Sequence, residues 1–213
     1  MKIYEQKGFM SSVSGLAALG IYTLCTLTAV ALYPTPYNPL YDWLSNLGNV
    51  NLNPVGAYFF NGGCILTGIV LVPFFISLKS WYDDVRWRKV LIILGQAAGI
   101  FTAIALIGVG LFSETHLTEH MIAAGLLFKS LFILMIIFNI ALNRHSIYMR
   151  ALEYYGLFVI FIDLSFVWIL FRFKDILGQF TPAIPVPGLE WTAVFASLAW
   201  IGALSLIMVK KGL

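Results

Sequence analysis

The sequence predicts an all-α membrane protein, a bundle of six transmembrane helices with both termini in the cytoplasm. The 213 residues are 60% hydrophobic and only 11% charged, whereas soluble domains carry about 25% charged residues. Six apolar runs are long enough to cross the hydrocarbon core of a bilayer, which takes about 20 helical residues. Basic residues are concentrated in alternate connections between these runs, as expected for a chain that crosses a membrane repeatedly.

The six runs follow one another along a single predicted membrane domain, residues 1–213. Pro34 and Pro36 end the first run, and Pro73 lies inside the second, where a helix bundle tolerates proline. Basic residues precede the third and fifth runs, acids and histidines precede the fourth, and prolines precede the sixth. The runs are Ser11–Tyr33, Gly56–Leu78, Lys89–Phe112, Glu119–Leu142, Ala151–Phe171 and Leu189–Val209.

Ten of the 13 basic residues lie on one side of the predicted membrane. By the positive-inside rule this side is cytoplasmic. We expect the plasma (inner) membrane as the location and membrane lipids as partners. Because these residues flank apolar runs, they indicate topology and not a nucleic-acid surface. They are Lys2, Lys7, Lys79, Arg86, Arg88, Lys89, Arg144, Arg150, Lys210 and Lys211.

The first run has a second interpretation. Lys2 and Lys7, followed by an apolar stretch and Ala29-Val30-Ala31, are also typical of a cleavable signal peptide. The apolar stretch is longer than a signal peptide requires, so we expect a retained helix.

The connection between the first and second runs has no basic residue and is rich in aromatic and small polar side chains. Tyr37 and Trp43 are typical of the aromatic belt at a membrane interface. Asp42 or Ser45 could cap a short interfacial helix. The alternative is that Asp42, Ser45 and Asn46 bind or react with a ligand, because loops on rigid scaffolds often carry function.

The connection before the fourth run contains two histidines at a spacing used by metal sites. His116 and His120 are four residues apart, so one helix would place both imidazoles on the same face. With Glu119, the segment matches the H-x-x-E-H pattern of inverted zinc proteases. The spacing therefore indicates a zinc site as one hypothesis.

A zinc site needs a third protein ligand, which Asp42, Glu114 or Glu190 could supply from the same side of the membrane. In that hypothesis Glu119 would activate a water molecule for hydrolysis. The structural alternative is that this segment only begins a helix, with Glu119 stabilised by the positive helix end.

Two opposite charges lie deep within the apolar runs, far from their ends. Counted at about 1.5 Å of helical rise per residue, Lys129 and Asp163 both lie near the middle of the membrane. An unpaired ion at that depth costs several kcal/mol, so the sequence predicts that they pair across adjacent helices. The pair could fix helix packing, relay protons or ions, or line a polar cavity.

Several short motifs then resemble a known family. The motifs are Tyr37, Ser45-Asn46-Leu47-Gly48, Phe60-Asn61, Gly110-Leu111-Phe112-Ser113-Glu114 and His120. Together they resemble the DUF998 family of prokaryotic membrane proteins of unknown function, and more distantly the Frag1/DRAM membrane proteins. The resemblance covers roughly the first two thirds of the chain and implies a six-helix bundle without an established activity.

The residues that match the family pattern are Ser45, Leu47, Gly48, Asn61, Glu114 and His120. Asn46 departs from it by replacing an acid, and Ser113 departs by replacing a proline. His116 is not part of the pattern, which counts against a zinc site with two histidines. The distant relatives imply a role linked to lipids.

Three functional hypotheses follow. The first is a lipid-handling protein with a binding site on the non-cytoplasmic face. The second is a metal-dependent hydrolase acting on lipids, with zinc on the two histidines. The third is a small transporter or channel that uses the predicted Lys129–Asp163 pair. The residues assigned to the polar site are Ser45, Asn46, Asn61, Glu114 and His120.

Overall fold

The computed structural model describes residues 3–143, 145, 148–173 and 185–212. Within these residues the chain forms no strand and has six α-helices that are long and apolar enough to cross a membrane. The predicted fold class, an all-α membrane protein with six transmembrane helices, is confirmed. The helices are α1 Ile3–Ala31, α2 Gly56–Ser77, α3 Arg86–Leu111, α4 Leu117–Leu142, α5 Arg150–Phe173 and α6 Val186–Lys211.

Each helix packs against the next one along the chain, and α6 returns to pack against α1. The six helices therefore form a closed arrangement in which successive helices run in opposite directions. We name the end at which α1 ends and α2 begins the loop end, and the end at which α6 finishes the terminal end. The α1–α2 and α3–α4 connections lie at the loop end, where α5 also ends and α6 begins.

Small residues allow close contact between helices, as is usual inside membranes. A Cβ atom placed on Gly95 of α3 would lie 2.7 Å from the ring of Phe138 on α4. At Gly99, one turn further along α3, an added Cβ would overlap the ring of Phe75 on α2. Two large aromatic rings thus rest on the α3 backbone, which holds α2, α3 and α4 together.

The α1–α2 loop, residues 32–55, contains a short 3-10 helix, Leu44–Gly48, whose Leu44 and Leu47 are buried. Asn53 fastens the loop to the bundle. Its amide nitrogen donates to the carbonyl oxygens of Ala29 at 3.0 Å and Leu47 at 3.2 Å. Its amide oxygen accepts from the backbone N–H of Gly56, the first residue of α2, at 3.1 Å.

Candidate functional site

A cavity of about 630 Å³ lies at the loop end, between α4, α5, α6 and the α1–α2 loop. Most of its wall is apolar and includes Met121 and Phe128 of α4 and Phe166, Val167 and Leu170 of α5. Its polar side chains come from four different segments of the chain. They are Ser45, Glu114, His120, Lys129 and Glu190.

His120 is in the first turn of α4 and is only 4% exposed. Its Nδ1 atom lies 2.8 Å from the carbonyl oxygen of Phe112, at the end of α3. Because a carbonyl can only accept a hydrogen bond, Nδ1 must carry the proton, and in the neutral ring Nε2 keeps the lone pair. The α3–α4 connection therefore fixes an imidazole that can accept a hydrogen bond or a proton in the cavity wall.

Glu190 projects from α6 and is 7% exposed. Its Oε2 accepts a hydrogen bond of 2.7 Å from the backbone N–H of Leu44, at the start of the 3-10 helix. The carboxylate therefore holds the α1–α2 loop against α6 while it also lines the cavity. Sequence analysis offered Glu190 as a possible metal ligand and did not assign it to the polar site. The available signal was that it is the only acid in the sixth apolar run.

Glu114 links the α3–α4 connection to the α1–α2 loop. Its Oε2 accepts from the side-chain amide of Asn49 at 3.2 Å. The amide of Asn46, oriented by the donors and acceptors around it, donates to both carboxylate oxygens at 3.2 Å. Asn46 therefore does not line the cavity itself but holds Glu114, which does. Where the resembled family has an acid, an amide at this position avoids placing two negative charges together.

Ser45, His120 and Glu190 converge. All three line the large cavity, and all three also line a neighbouring space of about 20 Å³. A space of that size is on the scale of one water molecule. The structure therefore gathers a hydroxyl, an imidazole and a carboxyl at the polar end of the cavity.

Two other predicted site residues hold the loop and do not line the cavity. Asn61 on α2 donates through its amide nitrogen to the carbonyl oxygen of Gly48 at 3.0 Å. Any side chain at Gly48 would overlap the Asn61 amide, which accounts for a glycine there. Asp42 accepts from the backbone N–H of Asn38 at 2.6 Å and so closes the preceding turn.

The predicted zinc geometry is not formed. In the part of the chain that the structure describes, no group of three or more His, Cys, Asp or Glu side chains could hold a metal ion. The helix α4 begins at Leu117, so His116 precedes it and is exposed, whereas His120 is buried. Glu119 is exposed on the first turn of α4. These residues do not fit a zinc site.

The predicted Lys129–Asp163 pair is also not formed. Between these two residues, both of which the structure describes, there is no ion pair within 4.0 Å. Lys129 is exposed and lines the cavity, whereas Asp163 is 0% exposed within α5. Their depths along the helices are similar, but the rotation of each helix places the two side chains in different surroundings.

The helices and the cavity define a polytopic membrane protein with a chamber at one end of the bundle. The chain belongs to the DUF998 family, which is described as proteins of unknown function and whose family model matches residues 16–207. The match extends into α6 and confirms the resemblance seen in the sequence motifs. Comparisons with curated proteins and with solved structures gave no match.

Proposed function

We propose that the protein binds a membrane lipid, or an amphiphile of similar shape, in the cavity at the loop end. The observation that carries the proposal is the uneven distribution of polarity in the cavity wall. Apolar side chains of α4 and α5 form a surface for a hydrocarbon chain, whereas Ser45, His120 and Glu190 provide hydrogen-bonding groups for a polar head. Proteins bind small ligands in cavities of about 300–1,000 Å³, a range that includes this one.

The loop end would face the non-cytoplasmic side of the plasma membrane. The support for this orientation is the position of the basic residues. Lys79 follows α2, Arg86, Arg88 and Lys89 begin α3, and Arg150 begins α5, so all lie at the terminal end. Basic residues in short loops favour the cytoplasmic side. The cavity would then receive its ligand from the outer leaflet.

Gly125 offers a direct test, because it lines the cavity and has space beside it. Among the described residues, no atom would lie within 4 Å of a Cβ atom added there. The Gly125→Leu side chain would therefore extend into the cavity without displacing the backbone. We expect about a tenfold loss of co-purified lipid, measured by native mass spectrometry and lipid extraction, which corresponds to about 1.4 kcal/mol of binding free energy.

The matched control is Gly20→Leu on α1. An added Cβ at Gly20 also meets no described atom within 4 Å, and Gly20 does not line the cavity. This variant adds the same apolar side chain to a transmembrane helix without filling the chamber. Equal amounts of the same lipid in both variants would show that the cavity is not the binding site.

A further inference from the structure

Asp163 is an acidic side chain in the interior of the bundle that the proposed lipid site does not use. It is 0% exposed, and neither carboxyl oxygen has a hydrogen-bond partner among the residues described. It lies 13 residues after Arg150 and seven before Leu170, the ends of the α5 span. At 1.5 Å per residue these separations are about 20 Å and about 10 Å, well inside the hydrocarbon region.

An ionised carboxylate in these surroundings would lose its hydration, and the residues that the structure describes would give it neither a hydrogen bond nor a counter-charge. The free-energy cost of losing hydration is far larger for the ionised form than for the neutral acid, so the carboxyl group binds a proton instead. We propose that Asp163 is a proton-binding site of the membrane interior that is occupied at neutral pH. Its proton exchanges with water through the cavity at the loop end.

The route to the cavity is short. Phe166 and Val167 line the cavity, and they follow Asp163 by three and four residues on the same helix. Residues at these spacings share one face of an α-helix, so Asp163 lies about one turn deeper than the cavity wall. A proton leaving the carboxyl would pass to water in the cavity, and the carboxylate would be neutralised again from the same side.

The helices that pack against α5 are α4 and α6. Their titratable groups are Glu119, His120, Lys129, Glu190, Lys210 and Lys211. Of these described side chains, none makes a hydrogen bond or ion pair with Asp163. The protonation of Asp163 therefore results from the burial of its own carboxyl, and no neighbouring charge is needed to maintain it.

A proton fits this site better than a metal ion. Ca²⁺ takes six to eight oxygen ligands and Mg²⁺ takes six. Asp163 belongs to no group of three or more His, Cys, Asp or Glu side chains within the described ranges. A single carboxyl satisfies a proton and does not satisfy either metal.

Infrared spectroscopy of the purified protein in lipid tests the protonation state directly. The wild-type protein minus Asp163→Asn difference spectrum at pH 7 should contain the C=O stretching band of a protonated carboxyl. A carboxylate band in its place would overturn the proposal. Asp163→Glu provides a second variant if Asp163→Asn does not fold, and it should keep the protonated band at a shifted frequency.

Exchange into D₂O tests the route. Deuterium should shift the Asp163 band, and the shift should develop several-fold more slowly in Gly125→Leu than in Gly20→Leu, because only the first fills the cavity. Equal exchange rates would overturn the route through the cavity. Because this readout follows the Asp163 proton and not the lipid, it can fail or succeed independently of the lipid-binding measurement.

Discussion

Asn53 shows how much of the loop end depends on single amides. It is completely buried and bonds to three backbone groups, in α1, in the 3-10 helix and in α2. Each of those backbone groups would otherwise be buried without a partner, which costs more than the bond itself contributes. The position of Ser45 at the cavity therefore depends on an amide that makes no contact with the cavity.

The Asn53→Ala substitution should destabilise the protein by about 2–4 kcal/mol, because three hydrogen bonds are lost and their partners stay buried. The measurement is the free energy of unfolding in detergent micelles. Asn51→Ala, an exposed position in the same loop, is the matched control and should change it by less than about 0.5 kcal/mol. Equal losses in the two variants would contradict the role of Asn53.

Among the elements, the α2–α3 connection at the terminal end makes a pH-sensitive contact with His145, which follows α4. His145 is buried there, its ring 5.5 Å from the ring of Trp81 and its Nε2 3.9 Å from Oδ2 of Asp83. Burial lowers the pKa of His145, the charge of Arg88 lowers that pKa further, and Asp83 raises it. The folded protein therefore favours the neutral imidazole.

Because the pKa of His145 is lower in the folded than in the unfolded state, the unfolded state takes up a proton first as the pH falls. The contribution of His145 to stability is complete above about pH 6.5, its pKa in the unfolded chain. This contribution is lost as the pH falls towards its pKa in the folded protein. Thermal unfolding temperature should thus decrease from pH 7 to pH 5, and the decrease should be smaller in His145→Gln. Identical pH profiles would show that another group titrates.

The existence of the six helices could be predicted because each apolar run is long enough to span the membrane. Their rotations could not, because helices with apolar residues on nearly every side carry little information about which side faces inward. The depths of Lys129 and Asp163 could be predicted from the runs, but their pairing was wrong because it depends on the rotation of each helix. His116 and His120 were wrongly placed on one helical face, because α4 begins only at Leu117.

Other features of the site depend on contacts between distant segments. The bond from Asn61 to Gly48 joins α2 to the α1–α2 loop, and the bond from Asn46 to Glu114 joins that loop to the α3–α4 connection. A sequence pattern identifies such residues as polar, but it does not show that Ser45 and His120 line the cavity while Asn61 supports the loop. The family motifs included both kinds of residue without distinguishing them.

At the scale of the whole molecule, the closed arrangement of helices leaves two ends of different character. The loop end carries the cavity, and the terminal end carries most of the described basic side chains. The proposed orientation makes these two ends accessible from opposite sides of the membrane, and that difference can be measured on intact cells.

A cysteine introduced as Val50→Cys, at an exposed position of the α1–α2 loop, should react with a membrane-impermeant maleimide in intact cells. A cysteine introduced as Val85→Cys, exposed before α3, should react only after the membrane is permeabilised. The native Cys25 and Cys64 lie within helices, and the unmodified chain serves as the background. The reverse labelling pattern would invert the proposed orientation.

The hydrogen bond between Glu190 and Leu44 also has a consequence for biosynthesis. The two residues are 146 positions apart in the chain. At about 5–20 residues per second, a ribosome needs about 7–30 s to extend the chain from one to the other. During that interval the first loop has left the ribosome without the carboxylate that holds it. The chamber therefore closes only after the last helix has entered the membrane. A chain truncated before α6 would keep the bonds of the loop to α1, α2 and the α3–α4 connection, and it would lack the bond to α6.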